Sequence, residues 1–180
     1  MHPQVVGRGA RFDGQWCYYA YFPDLRRSAL NSQRGDLPFK GCDIHRVQLK
    51  TRQVQRLTFQ EFSPSTGAAK WSYADPSSTS SQSTGLGYGI LNLGPCPVPG
   101  RKIAFTSNRH GFTPPKSYTG PTLQLFVMDE DGENVACIAP LNIGSALHPT
   151  PLQDGRLLFS SYERQGLRDQ RMWGLWAINP

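Results

Sequence analysis

Lys102-Ile103-Ala104-Phe105-Thr106-Ser107 follows the turn dipeptide Pro99-Gly100, and the chain repeats that pattern. Arg156-Leu157-Leu158-Phe159-Ser160-Ser161 follows Asp154-Gly155. Gln15-Trp16-Cys17-Tyr18-Tyr19-Ala20 follows Asp13-Gly14 and reads as a degenerate copy with Tyr18 in the aromatic position. Each copy is a glycine turn feeding a short strand of apolar and hydroxyl residues. A second element recurs downstream of each, at Ile44 to Leu49, Leu125 to Glu130 and Leu175 to Pro180. Leu57 lies 13 residues after Ile44, and Ile138 lies 13 after Leu125. A constant offset is what a hairpin of one fixed register produces.

The unit is therefore a four-stranded antiparallel meander, with strands lettered A to D, and the fold class is all-β: blades of a β-propeller. Strands are expected near 15–21, 43–49, 53–59, 102–107, 123–129, 134–139, 156–161 and 173–178. Blade 1 covers about 4–59, an inserted loop about 60–95, blade 2 about 96–139 and a partial blade 3 about 146–180. That makes about two and three-quarter blades, whereas propellers close with roughly four to eight. The ring is incomplete. The chain reads as part of a longer protein, or as a unit completed by pairing with another chain. Its protein partner is then either the remaining blades or that second chain. The last strand C, with Leu175 and Ile178, is expected to present an open edge prone to aggregation or pairing.

Charged residues are only 18% of the chain, and 18 glycines with 15 prolines supply turns, as a loop-rich β protein requires. No apolar run is long enough to cross a membrane. Met1-His2-Pro3-Gln4 does not open a signal peptide, so the signal of an exported parent would lie upstream. Cys17, Cys42, Cys96 and Cys137 form no CxxC, which excludes a zinc knuckle or c-type haem attachment here. No metal or other cofactor is expected in this segment. The cysteines read as small packing residues, with a Cys17–Cys42 disulfide inside blade 1 as the open alternative. HExxH, GxSxG, GxGxxG and phosphate-loop patterns are missing, so no catalytic motif is present and enzymatic activity is left open.

In a meander the A–B and C–D turns share one end, and the B–C and D–A connections share the other. The first set is tight. The second varies, and the first D–A connection carries about 27 extra residues between Phe59 and Cys96. A low-complexity tip, Pro76 to Thr84, is flanked there by Trp71, Tyr73, Tyr88, Ile90 and Leu91, which predicts an ordered loop with a loose tip. The three B–C loops (22–42, 108–122 and 162–172) hold five of the six net positive charges. A basic loop-bearing end favours a small anion or an acidic protein surface; a solvated arginine rim is the alternative. The candidate binding residues are Arg109, His110, Arg164 and Arg168, joined by His148 near an innermost strand. Guanidinium forks suit carboxylate or phosphate groups. His45 aligns with Phe126 and Trp176 and reads as a packing residue. Nucleic acid is not expected, because no RNP-like stretch, zinc finger or long basic run is present.

The glycine turn, the Lys/Arg-Ile/Leu-x-Phe-Thr/Ser-Ser strand and Leu125-Phe126-Val127-Met128-Asp129-Glu130-Asp131-Gly132-Glu133-Asn134 resemble the TolB-like propeller repeat. Asn92 to Pro97, Phe105 to Arg109, Ala146 to Thr150 and Trp173 to Pro180 resemble the propeller region of the hydrazine synthase alpha-subunit family. The first resemblance implies a non-catalytic binding or assembly module of a larger exported protein, periplasmic or extracellular. The second implies the propeller portion of a multihaem redox enzyme whose haem domains lie outside this segment. No CxxCH is present, so haem chemistry passes to no residue here. A weaker option is the gating propeller of a prolyl-oligopeptidase-like hydrolase, which would need a separate α/β-hydrolase domain.

Overall fold

The computed structural model describes residues 5–6, 14–22, 27–32, 35–38, 41–59, 90–110, 112, 122–138, 144–163 and 172–180. The central strands of each blade form where apolar, aromatic and β-branched residues follow glycine turns. Blade 1 is β1 (Val5–Val6), β2 (Trp16–Tyr21), β5 (Asp43–Gln48) and β6 (Val54–Arg56), paired in the order β1-β2-β5-β6. Between β2 and β5, β3 (Arg27–Ser32) and β4 (Gly35–Pro38) make a separate hairpin. Blade 2 is β7 (Asn92–Val98), β8 (Lys102–Ser107), β9 (Gln124–Asp129) and β10 (Ala136–Cys137). Blade 3 is β11 (Ala146–Pro151), β12 (Leu157–Glu163) and β13 (Met172–Ile178). Pairing within each blade is antiparallel and none of the sheets closes, so the architecture is a partial propeller.

The repeated offset has a direct physical cause. Leu57 N–H donates to the Ile44 carbonyl at 2.8 Å, and Ile138 N–H donates to the Leu125 carbonyl at 3.1 Å. Phe105 faces Phe126 across blade 2, as Phe159 faces Trp176 across blade 3. The first copy needs a correction. Trp16 pairs with Gln48 as Lys102 pairs with Asp129, so Tyr19, opposite His45, holds the aromatic position and Tyr18 does not. The Leu49 and Glu130 amides donate to the carbonyls of Gln15 and Arg101, which fixes the same alignment. The slip arose because Asp13-Gly14 looks like Asp154-Gly155. In the structure Gly14 (φ 76°) is the counterpart of Gly100 (φ 81°). One residue reverses the face of every side chain in a strand.

The innermost strands share a device. The ladder of β7 slips between Leu93 and Cys96, and that of β11 between Leu147 and Thr150. In each bulge a left-handed residue, Gly94 (φ 58°) or His148 (φ 55°), precedes a proline. A proline cannot donate to a ladder, and an extra residue bends the strand. The two bulges lie side by side, with Pro149 Cδ 3.6 Å from where a Cβ on Gly94 would stand. Blade 2 therefore begins by Asn92, and only residues 60–89 of the expected insertion, with Trp71, Tyr73 and Tyr88, lie outside the described residues.

The core lies between blades. The front face of blade 2 (Ile103, Phe105, Phe126 and Met128) packs against Tyr18, Ile44 and Leu57 of blade 1. Its back face (Cys96, Val98, Ala104, Leu125 and Val127) packs against Ala146, Leu157 and Phe159 of blade 3. Strand alternation sends successive residues to opposite interfaces. No disulfide joins the cysteines; Cys42 is buried in blade 1 and donates its thiol to the Asn92 carbonyl at 3.2 Å. The open alternative of a Cys17–Cys42 bridge is thereby closed.

Candidate functional site

At the loop-bearing end of the blade 1–blade 2 interface the apolar stripes give way to a buried polar network. Asp43, first residue of β5, is 3% exposed and sits opposite Asn92, first residue of β7. Its Oδ1 accepts from Thr58 Oγ1 at 2.7 Å and from Asn92 Nδ2 at 3.1 Å. Its Oδ2 accepts from Arg56 at 2.6 Å. The carboxylate is thus desolvated but fully engaged, which a buried charge requires.

Asn92 relays the network into blade 2. Its Oδ1 accepts from Ser107 Oγ at 2.9 Å and from an Arg109 guanidinium nitrogen at 2.8 Å. Its Nδ2 also donates to the Cys42 carbonyl at 3.1 Å. Arg109 is 4% exposed, and its guanidinium carbon lies 5.1 Å from the Phe105 ring centre and 5.6 Å from that of Phe126. Burial lowers its pKa to about 10, against the opposing pull of Asp43, so the group stays charged at neutral pH. Beside it, Asn108 is 1% exposed, and its Oδ1 accepts from Leu91 N–H at 2.8 Å. Asn108 Nδ2 and His110 Nδ1 are buried with no hydrogen-bond partner among the described residues.

Arg109 and His110 stand at the loop-bearing end as expected, but Arg109 is drawn inward onto two aromatic rings and does not lie on the rim. His148 is exposed on the innermost strand of blade 3. Arg164 and Arg168 lie outside the described residues, so the structure leaves their expected convergence with Arg109 unaddressed. Sequence reading missed Asp43, Thr58, Asn92, Ser107 and Asn108. The available signal was polar side chains at the ends of strands whose interiors are apolar. Among the described residues no cluster of His, Cys, Asp and Glu could hold a metal ion, and no helix is long and apolar enough to cross a membrane.

No protein-family model matches the chain, and no curated protein matches it. Solved structures do. One is a protein assigned as TolB from Agrobacterium tumefaciens, at 20% identity and a TM-score of 0.50, with 91% of this chain and 39% of that chain covered. Another is hydrazine synthase from Kuenenia stuttgartiensis, at 13% identity and a TM-score of 0.49, with 91% of this chain and 20% of that chain covered. The chain thus spans well under half the length of either. The first likeness shows the fold alone, that of a TolB-like propeller.

Proposed function

We propose that this chain is a non-catalytic binding or assembly module of a larger exported protein, and that its loop-bearing end takes an anionic ligand or an acidic protein segment. The observation that supports this reading is Asn108-Arg109-His110: a buried cation flanked in sequence by two buried nitrogens that have no partner among the described residues. Buried polar groups are nearly always satisfied, so such nitrogens need an account. Arg56 pairs directly with Asp43, whereas Arg109 reaches that carboxylate only through Asn92, whose Oδ1 accepts from it. An acceptor oxygen brought by a ligand would meet Asn108 Nδ2 and, in the tautomer protonated there, His110 Nδ1.

Calorimetric titration with a short glutamate-rich peptide at low salt tests this. Binding should weaken about tenfold in His110→Ala, the worth of one charge-assisted hydrogen bond, and should fade with added salt. Absence of binding, or binding indifferent to His110→Ala, would overturn the reading. The multihaem alternative has less support. Two of the strings that suggest it, Asn92 to Pro97 and Ala146 to Thr150, coincide with the bulged innermost strands, where they serve the fold.

A further inference from the structure

Blade 2 departs from the repeat at one packing position. Tyr21 opposes Asp43, Ser107 opposes Gln124 and Ser161 opposes Gly174 at the ends of equivalent strands. The residue that follows is Phe22 in blade 1, Asn108 in blade 2 and Tyr162 in blade 3. Phe22 packs on the cluster of Ala20, Cys42 and Leu91, and Tyr162 lies edge-on to Trp173 with ring centres 4.9 Å apart. The repeat thus fills this position with an aromatic ring. Blade 2 buries an amide there instead. The Leu91 N–H can only donate, so the Asn108 oxygen must face it and the nitrogen faces away. The bond to Leu91 accounts for the oxygen. It leaves Nδ2 with no partner among the described residues.

Two neighbours extend the donor set. Arg109 Nε donates to Ser107 Oγ at 3.4 Å, and one terminal nitrogen donates to Asn92 Oδ1 at 2.8 Å. Its other terminal nitrogen has no partner among the described residues. Asn108 is tied to Leu91 and Arg109 to Asn92, so both side chains meet the same dipeptide. The His110 ring centre lies 6.5 Å from that of Phe126, the same ring that the Arg109 guanidinium approaches at 5.6 Å. Shared contacts therefore hold the three side chains together at the loop-bearing end. His110 is only half-buried, although its Nδ1 is enclosed, so its outer edge is the side open to solvent.

The geometry points to a single carboxylate as the group that this donor set binds, carried by a small organic acid or by an acidic side chain. The inference deepens the anion reading and rests on it. One cation with an open nitrogen, an amide N–H and the Nδ1-protonated tautomer of His110 suit a carboxylate, whose two oxygens offer about four acceptor sites. A phosphate dianion would bring a doubled charge into a buried place and would need a second cation. Arg56, the other guanidinium of the network, is committed elsewhere. It donates to Asp43 Oδ2 at 2.6 Å and to the Thr58 carbonyl at 3.0 Å, and it lies over the Phe59 ring at 4.8 Å.

Magnetic resonance titration of the isotope-labelled chain tests it. The probes are acetate and inorganic phosphate at matched ionic strength and mildly alkaline pH, where phosphate is a dianion. Acetate should shift the Asn108 side-chain amide saturably, and phosphate should bind at least about tenfold more weakly. Asn108→Asp keeps the acceptor for Leu91 but turns the open donor into a carboxylate oxygen, so acetate affinity should fall at least about tenfold. His110→Phe keeps a ring against Phe126 and removes the other donor, for a similar loss should Asn108→Asp fail to fold. Competition with the glutamate-rich peptide separates the two sources: tighter binding of the peptide assigns an acidic side chain, and tighter binding of acetate a small free acid. Phosphate binding as tightly as acetate would overturn the carboxylate assignment and leave the anion reading standing. Acetate binding indifferent to both variants, or a bound peptide that acetate does not displace, would also overturn it. If acetate, phosphate and the peptide all fail to bind, the anion reading itself falls.

Discussion

The two interfaces inside this molecule are built from the same strands but fastened differently. Where blade 1 meets blade 2, Asp43, Asn92, Ser107 and Arg109 form a buried polar chain beyond the apolar stripe. Where blade 2 meets blade 3, the same positions hold Gln124, Ala146, Ser161 and Glu163, and Gln124 turns back to Thr122 at 2.8 Å. Both interfaces keep one backbone bond in common: Asn92 N–H to the Cys42 carbonyl at 3.2 Å, and Ala146 N–H to the Leu123 carbonyl at 2.8 Å. At the second interface that bond is joined by Leu123 N–H donating to Ser145 Oγ at 3.3 Å, beside the apolar stripe. The hub of the polar chain is particular to the first interface, because Ala146 stands where Asn92 does and has no amide to relay it. Buried polar networks are costly unless complete, so a network centred on an asparagine that the next blade replaces with alanine points to a role in orientation or binding.

The largest effect should come from the stripe itself. Phe105→Ala removes a fully buried ring that packs on Phe126 and underlies Arg109, and should cost about 3–5 kcal/mol in urea unfolding. Phe159→Ala, its counterpart, should cost less, because its partner Trp176 is already 53% exposed. Equal costs would mean that the interfaces are energetically alike. Next comes the hub. Asn92→Ala installs the residue that the second interface uses, yet strands Asp43, Ser107 and Arg109, for a loss of about 3 kcal/mol. The converse change, Ala146→Asn, buries an amide without its network and should cost about 1–3 kcal/mol. If Asn92→Ala were neutral, the network would contribute nothing to stability.

A smaller effect is set by pH. Burial lowers the His45 pKa, against hydrogen bonding to the Asp43 carbonyl and the Asp43 charge. The unfolded chain, with a value near 6.5, therefore takes up the proton first. The resulting contribution to stability is complete above pH 6.5 and declines as the pH falls toward the depressed folded value. His45→Phe, which copies Phe126, should flatten that part of the stability–pH profile; an unchanged profile would assign the acid loss to other groups. The smallest effect concerns the bulges. His148 holds a left-handed φ where blade 2 uses Gly94. Glycine relieves that strain but frees the unfolded chain, so His148→Gly should shift stability by less than about 1 kcal/mol.

Much of the fold was legible because the blade repeats. The offset from Ile44 to Leu57 and from Leu125 to Ile138 is a covalent count that one backbone bond reproduces. The innermost strands were hard to read because Gly94-Pro95 and His148-Pro149 interrupt the two-residue alternation at their bulges. Blade 1 was read one residue out of register because an Asp-Gly pair does not fix its own place in a turn, whereas the pairing of Trp16 with Gln48 does. At the site, charge led to Arg109 and His110 but not to Asp43 or Asn92. Sequence shows that a side chain is charged. It does not show that a neutral amide 49 residues from an aspartate will meet it across two blades.

The central claim is that stability here lies between blades, so that a sheet covered on both faces outlasts one covered on a single face. Native-state hydrogen exchange on the purified chain measures this strand by strand. The account predicts slowest exchange at Phe105, Leu125 and Val127 of the doubly covered blade 2, with β12 and β13 of blade 3 opening earlier and at lower free energy. Equal protection of β8 and β12, or faster exchange in blade 2 than in blade 3, would contradict it.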